Sequence, residues 1–114
     1  WEGDVLSPPD QGWDAYATRV SCVLPTPPIF TAFYDGSRSV SENYEERTGL
    51  ATTSDLRCFN RITDAEPVLI SPHGSGSLRY MAAISILFNK FFTAPRYISS
   101  ITCTNCTHRT HQVT

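Results

Sequence analysis

The sequence lacks several features that would assign it to a class at once. Its 114 residues carry a formal net charge of only −2, so no strongly basic surface for nucleic acid or acidic membranes is expected. No apolar run approaches the ~18 residues of a membrane-spanning helix. No basic segment precedes an apolar stretch, as it would in a secretory signal. We therefore predict that neither nucleic acid nor a membrane is a partner.

The composition is typical of one small globular domain. Hydrophobic residues make up 40% and charged residues 18%, which argues against wholesale disorder. The spacings of the four cysteines (Cys22, Cys58, Cys103 and Cys106) do not resemble a dense secreted disulfide framework, so the compartment stays open. Because the chain starts at Trp1 without a methionine and stops inside a plausible strand, we expect a piece of a longer protein.

Short apolar segments alternate with turn-forming residues along the chain, which is typical of an antiparallel β-meander. A helix competes at 78–88, because Ala and Leu favour one. We predict a strand there, since an extended segment follows it as one follows 15–24. The predicted strands are 1–6, 15–24, 29–35, 47–53, 58–63, 66–70, 78–88 and 90–99.

An internal repeat indicates two copies of one unit. Three matches occur in the same order at nearly one offset of 60 to 62 residues, and four-stranded units repeated in this way are typical of β-propeller blades. We predict a partial propeller over 1–114, with an outer strand at 1–6, a blade at 15–63 and an incomplete blade at 66–114. The matches are Thr18-Arg19-Val20 with Leu78-Arg79-Tyr80, Phe30-Thr31-Ala32 with Phe92-Thr93-Ala94, and Arg47-Thr48 with Arg109-Thr110.

Residues 1 to about 80 resemble the five-bladed β-propeller glycoside hydrolases, which include arabinosidase-, invertase- and levansucrase-like enzymes and their mannoside-phosphorylase relatives. The similar segments are WDAYATRVSCVL, FYDGS, ERTGLATTSDLRCFNRI and SPHGSGSLRY. Blades of that family carry a Y-x-G turn, here Tyr34-Asp35-Gly36, and a G-L-A-x-S-x-D-L turn, here 49–56, followed by the aromatic Phe59. The resemblance implies an all-β fold of antiparallel four-stranded blades, about two blades of a five-bladed propeller. It also implies a funnel-shaped active site.

Strand alternation predicts which loops share an end of the sheets. One end holds most of the residues that could bind a ligand or catalyse a reaction, in the loops 7–15, 36–46, 71–77 and 100–106. The segments 25–28, 54–57 and 88–90 fall at the other and hold little beyond turn residues.

Asp14 opens an inner strand, where the resemblance places a carboxylate beside the sugar ring, so we predict that it is catalytic. The alternative is a turn aspartate that bonds its own backbone after Gly12. Arg19 and Arg79 lie in apolar strands, which predicts burial with a partner. We predict that both bind substrate, and the alternative is an ion pair between blades.

Glu46 and His73 are further predicted sugar contacts at the same end. His73 lies in the turn where the family keeps its general acid, and this turn has no carboxylate. The alternatives are a solvated loop glutamate and a surface histidine.

The tail pattern Cys103-x-x-Cys106-x-His108-x-x-His111 holds four potential zinc ligands. Zinc pairs usually lie about a dozen or more residues apart, and His108 and His111 would point to opposite faces of a strand. We predict no metal and no other cofactor.

The expected function is hydrolysis of glycosidic bonds in oligo- or polysaccharides. It uses two carboxylates, at least one of them outside this piece. The predicted partners are a carbohydrate substrate and the remaining blades of the parent chain. The alternatives are a non-catalytic carbohydrate-binding propeller and an independent β-sandwich interaction module.

Overall fold

The computed structural model describes residues 3–88, 96–103 and 111–113. This part of the chain contains seven strands, a short 3-10 turn at Val40–Glu42 and no α-helix. The strands are β1 (Ala17–Thr26), β2 (Ile29–Ser37), β3 (Arg47–Thr53), β4 (Asn60–Arg61), β5 (Met81–Phe88), β6 (Arg96–Cys103) and β7 (His111–Val113).

The strands form two antiparallel meanders. The first sheet has the order β1-β2-β3-β4 and the second has the order β5-β6-β7. Within the described residues, the predictions of an all-β fold and of a four-stranded antiparallel sheet are confirmed. The strand predicted at 78–88 is present from Met81 to Phe88. The first sheet lies within the predicted blade 15–63. The repeat matches at 92–94 and 109–110 lie outside the described residues.

Several predicted segments differ from the structure. Of the predicted strand 58–63, only Asn60–Arg61 is strand. Residues 3–6 are not a strand, although the Val5 carbonyl accepts a hydrogen bond from the Phe59 amide at 3.1 Å. The segment 66–70 contributes only an isolated bridge between Leu69 and Thr48, because Pro67 lacks the amide that a ladder needs. The predicted loop 100–106 is partly strand, since β6 continues to Cys103.

A β-bulge in β1 decides which side chains face which way. Val20 pairs with Tyr34 but Cys22 pairs with Phe33, so Ser21 is an extra residue on β1. In a regular strand, residues two apart share a face. The bulge therefore places Val20 and Cys22 on opposite faces of the sheet. Regular alternation along the strand would have placed both on the same face.

Both faces of the first sheet are covered. On the face that carries Phe33 (the Phe33 face), Leu24 and Phe33 pack against Leu78, Met81 and Ala83 in and before β5. Full burial of a Phe or Met side chain stabilises a fold by about 1.5–3 kcal/mol. The opposite face (the Tyr34 face) has a second cluster of Trp13, Ala32, Tyr34 and Ala51, with Leu6, Val20 and Phe59 at its edge.

The two ends of the first sheet differ in their loops. At one end, which we call the loop end, Ala17 pairs with Ser37 and Gly36 pairs with Arg47. Residue 14 and the loop 38–46 lie at this end. Arg47 Nη2 also holds the turn 71–77 there through the Ser75 carbonyl, at 3.0 Å. The opposite end carries the Pro27-Pro28 turn and the turn after Thr53, so the shared end is confirmed for these loops.

Candidate functional site

One polar cluster lies on the Tyr34 face at the loop end; we call Trp13, Asp14, Tyr34, Arg61 and Thr63 the Asp14 cluster. Asp14 is fully buried, and its Oδ2 accepts hydrogen bonds from Arg61 Nε at 2.7 Å and from Tyr34 Oη at 2.8 Å. Tyr34 Oη lies 3.1 Å from Thr63 Oγ1, and Trp13 Nε1 donates to the Thr63 carbonyl at 2.7 Å. A buried carboxylate needs such partners, because its burial alone would cost several kcal/mol.

Two glycines allow this cluster to lie against the sheet. A Cβ added to Gly36 would stand 2.7 Å from Asp14 Cβ and 2.7 Å from the Trp13 ring. A Cβ at Gly49 would overlap the Tyr34 ring. The Trp13 and Tyr34 rings then stack, with their centroids 5.7 Å apart. Asp14 Oδ1 is buried and has no hydrogen-bond partner among the described residues.

The electrostatics of this cluster favour a closed ion pair. Burial lowers the pKa of Arg61, but Asp14 and Tyr34 together outweigh it, so the net direction is upward. Burial raises the pKa of Tyr34 to about 12. Both groups therefore keep their protons at neutral pH and donate to Asp14. The Asp14 side chain is 1% exposed and that of Arg61 14%.

The second cluster forms around Asp35, on the Phe33 face. Asp35 follows Tyr34 in β2, so its side chain points to the other side of the sheet. Its buried carboxylate joins two segments: Oδ2 accepts from Arg19 Nη2 at 2.8 Å, and Oδ1 accepts from the Tyr80 amide at 3.0 Å. The Arg19 guanidinium lies 4.5 Å from the centroid of the Tyr80 ring. The hydrogen bond to Asp35 raises the pKa of Arg19.

Arg79 extends this cluster toward the loop 38–46. Its Nη1 donates to Glu46 Oε2 at 3.1 Å. Its guanidinium lies 4.9 Å from the Tyr80 ring and 5.2 Å from the Tyr44 ring. Both tyrosines are exposed and have positive φ, 69° at Tyr44 and 57° at Tyr80, a conformation that bulky residues rarely adopt. We call this set the Tyr80 cluster: Arg19, Asp35, Tyr44, Glu46, Arg79 and Tyr80.

A further ion pair braces the loop beside this cluster. Glu42 accepts from Arg47 Nη1 at 3.2 Å and from the Arg38 amide at 2.8 Å. Burial raises the pKa of Glu42, but these donors outweigh it and the net direction is downward. His73 is an exposed residue of the neighbouring turn, where its amide donates to Ser71 Oγ at 3.2 Å.

The predicted site residues separate into two groups. Arg19, Arg79 and Glu46 come together in the Tyr80 cluster, and His73 lies at the same end of the sheet. Asp14 belongs to the other face. A substrate held by Arg19 and Arg79 would therefore have the first sheet between it and Asp14.

The predicted burial of Arg19 is wrong. Its side chain is 51% exposed, because β1 is the edge strand of its sheet within the described residues, and only its partner Asp35 is buried. Arg79 is mostly buried, as predicted, and precedes β5 rather than lying in it.

Sequence reasoning missed the residues that organise both clusters. Arg61 lies 47 positions from Asp14, a distance that no local pattern can bridge. Asp35 had a signal, because it stands in a Tyr-Asp-Gly segment inside an apolar strand, where a carboxylate requires a partner. Tyr44 and Tyr80 carry no sequence signal for their positive φ.

No group of metal-ligating side chains occurs in the part of the chain that the structure describes. Within the same residues, no helix is long and apolar enough to cross a membrane. Cys22 and Cys58 are not bonded to each other. The predicted tail pattern from Cys103 to His111 lies largely outside the described residues.

Comparison of the chain with family models, with curated proteins and with solved structures finds no match. The two clusters and the sheets that carry them are therefore the features from which a function can be inferred.

Proposed function

We propose that this chain is part of a five-bladed β-propeller that acts on glycosidic bonds. The first sheet, with its strands in sequence order, and the second sheet that begins with β5 have the connectivity of consecutive blades. Further blades of the parent chain would complete the ring and supply the remaining catalytic carboxylates.

One observation carries the proposal. Arg19 and Arg79 are 60 positions apart in the sequence, lie in and just before the first strands of the two sheets, and converge on one exposed ring, that of Tyr80. Guanidinium groups held by carboxylates beside an aromatic ring offer fixed donors for hydroxyl groups and an apolar contact surface, a combination suited to sugars. The proposal places the substrate at the loop end of the sheets.

Glycoside hydrolysis requires a pair of carboxylic acids around the scissile bond. The Tyr80 cluster contains two carboxylates, of which Asp35 is buried and Glu46 is held by Arg79. Asp14 remains our predicted catalytic residue, and for it to act on a sugar, Arg61 and Tyr34 would have to release its Oδ2. Replacement of Asp14 by Asn in the intact protein tests this role. Catalysis predicts a fall in kcat of about 100-fold or more, and a structural role predicts a loss of stability with unchanged kcat.

The second candidate is a carbohydrate-binding propeller without catalytic activity. The full burial of Asp14, on the face opposite Arg19 and Arg79, favours it. The two candidates separate when the intact protein is assayed for both turnover and binding of sucrose, mannobiose and arabinobiose. Turnover supports the hydrolase, and binding without turnover supports the second candidate. If the protein shows neither turnover nor binding, both candidates are refuted.

A further inference from the structure

Asp35 links two separate parts of the Tyr80 cluster in addition to forming an ion pair. Asp35 is buried and uses each of its oxygens once, for a side chain on β1 and for a main-chain amide just before β5. The carboxylate thus fixes the Arg19 guanidinium and the Tyr80 backbone in relation to each other. Hydrogen bonds to a charged acceptor are roughly twice as strong as neutral ones, so this junction holds the two sheets in one geometry at this point.

The tyrosines of the cluster are held in an uncommon conformation. Among the non-glycine residues that the structure describes, positive φ occurs at Tyr44, Leu56 and Tyr80. Two of these three are exposed tyrosines whose rings contact the same guanidinium, that of Arg79. Such a backbone conformation is unfavourable for a tyrosine and persists where the surroundings fix it, often at binding sites. Tyr44 is 69% exposed, so much of its ring faces solvent.

The charges of the cluster determine which ligand suits it. Two guanidinium groups, of Arg19 and Arg79, stand against two carboxylates, of Asp35 and Glu46, and each guanidinium is paired at 2.8 Å or 3.1 Å. The four formal charges cancel. An anion would therefore meet a carboxylate wherever it approached an arginine, whereas a neutral polyhydroxyl ring can contact both kinds of group. The exposed Tyr44 ring adds an apolar surface of the kind that covers the C–H face of a sugar.

We propose that the Tyr80 cluster is a binding platform for a neutral sugar, with the Tyr44 ring as its contact surface and Asp35 as its positioning residue. This inference rests on the proposed carbohydrate function and narrows it to a ligand class and a subsite. Asp35 does not touch the sugar. It acts by holding Arg19 and Tyr80 in place.

The test measures sugar affinity of the intact protein by calorimetry. The probes are sucrose, mannobiose, arabinobiose and cellobiose, with cellobiouronic acid as an acidic match for cellobiose. We expect a neutral disaccharide to bind and the acidic one to bind more weakly. Tyr44→Ala should weaken binding by about tenfold or more, as truncation of a central tyrosine does at binding sites. Tyr44→Trp should restore affinity, because it keeps an aromatic surface.

Asp35→Asn tests the positioning role, with Asp55→Asn as its matched control at the opposite end of the sheet. Asp55 also accepts backbone amides, those of Arg57 and Cys58, but lies outside the cluster. Asp35→Asn should weaken sugar binding by about tenfold or more and move the Tyr80 amide proton resonance, whether or not sugar is present. Asp55→Asn should do neither.

Each outcome decides a separate point. Wild-type affinity in Tyr44→Ala, or tighter binding of cellobiouronic acid than of cellobiose, would overturn the platform while leaving the carbohydrate function standing. An unmoved Tyr80 resonance in Asp35→Asn would overturn the positioning role. Absence of binding of every sugar by the wild-type protein would overturn the proposed function itself, and the platform with it.

Discussion

The buried ion pair between Asp14 and Arg61 allows a quantitative prediction about stability. The two variants are Asp14→Asn, which removes the negative charge with little change of shape, and Arg61→Met, which removes the positive charge and keeps the length of the side chain. Each one leaves its former partner without a counter-charge. Removal of one member of a buried pair typically costs about 3–5 kcal/mol.

The geometry predicts different losses for the two variants, with that of Asp14→Asn at or below the lower limit. Arg61 is 14% exposed and also donates to the Ser7 carbonyl at 2.9 Å. After Asp14→Asn it keeps that bond and some contact with water, so we expect a loss of about 2–3 kcal/mol. Asp14 is 1% exposed, and after Arg61→Met only the Tyr34 hydroxyl donates to it. We expect a loss of about 3–5 kcal/mol for Arg61→Met.

The double variant is the sharper test. With both charges removed, no uncompensated buried charge is left, and we expect a total loss of about 1–2 kcal/mol, because replacement of a whole buried pair by neutral groups costs little. The implied coupling energy is about 3–7 kcal/mol, far above the ~0.3–0.5 kcal/mol scatter of independent sites.

Urea denaturation followed by tryptophan fluorescence measures these free energies of unfolding. Trp13 is a suitable reporter, because its ring is buried and stacks on Tyr34 within the cluster. With a urea m-value of about 1–3 kcal/mol/M, a loss of 3 kcal/mol lowers the midpoint by about 1–3 M. Additive losses in the double variant would refute the idea that Asp14 and Arg61 act as a unit.

Three further predictions concern the sheet around these clusters. Burial raises the pKa of Tyr34 from 10.0 to about 12, so the unfolded chain loses this proton first as the pH rises. The free energy of unfolding should therefore fall by roughly 1–2 kcal/mol between these two pH values. Unfolding measured as a function of pH tests this, and the fall should disappear in Tyr34→Phe. Gly49→Ala should destabilise by about 1–3 kcal/mol or more, because its Cβ would overlap the Tyr34 ring, and should redshift Trp13 emission; unchanged stability and emission would contradict this packing. Amide hydrogen bonds from Cys58 and Arg57 lower the pKa of Asp55 below its ordinary 3.8. The ionised Asp55 therefore stabilises the fold above that pH, and this stabilisation is lost as the pH falls through the lowered pKa. Asp55→Asn should make stability less dependent on pH in the acid range, and an unchanged pH dependence would show that Asp55 is not its cause.

Much of the first sheet could be predicted from the sequence, because local chemistry determines it. The aromatic and β-branched residues of 29–35 and the prolines before them predict β2 and the turn that precedes it. The bounds of β3 follow from RTGLATT and the Ser-Asp turn after it. The shared end of the loops follows from strand alternation, which depends only on the number of strands between two loops.

The parts that could not be predicted depend on contacts between distant residues. The bulge at Ser21 changes the phase of β1, and no residue type in SCVL signals it. Arg19 pairs with Asp35 ahead of the bulge, so both lie on the Phe33 face. Tyr34, the neighbouring residue of β2, points to the other face, where its hydroxyl contacts Asp14. For that reason the predicted catalytic residue and the predicted substrate contacts fell into different clusters, although the end of the sheet was predicted correctly.

Among the residues that the structure describes, one arrangement occurs three times: an arginine that pairs with a carboxylate also lies near a tyrosine ring. Arg19, Arg61 and Arg79 share it. A planar guanidinium can donate in its plane and contact a ring with its face, which a lysine ammonium cannot do at once; the chain has a single lysine, Lys90. Arg61→Lys should therefore lose stability although it keeps the charge, by about 1–3 kcal/mol and less than Arg61→Met. If Arg61→Lys were as stable as wild type in the same urea assay, charge alone would account for the stabilisation by this ion pair. The planar donors of the guanidinium and its contact with the tyrosine ring would then contribute nothing.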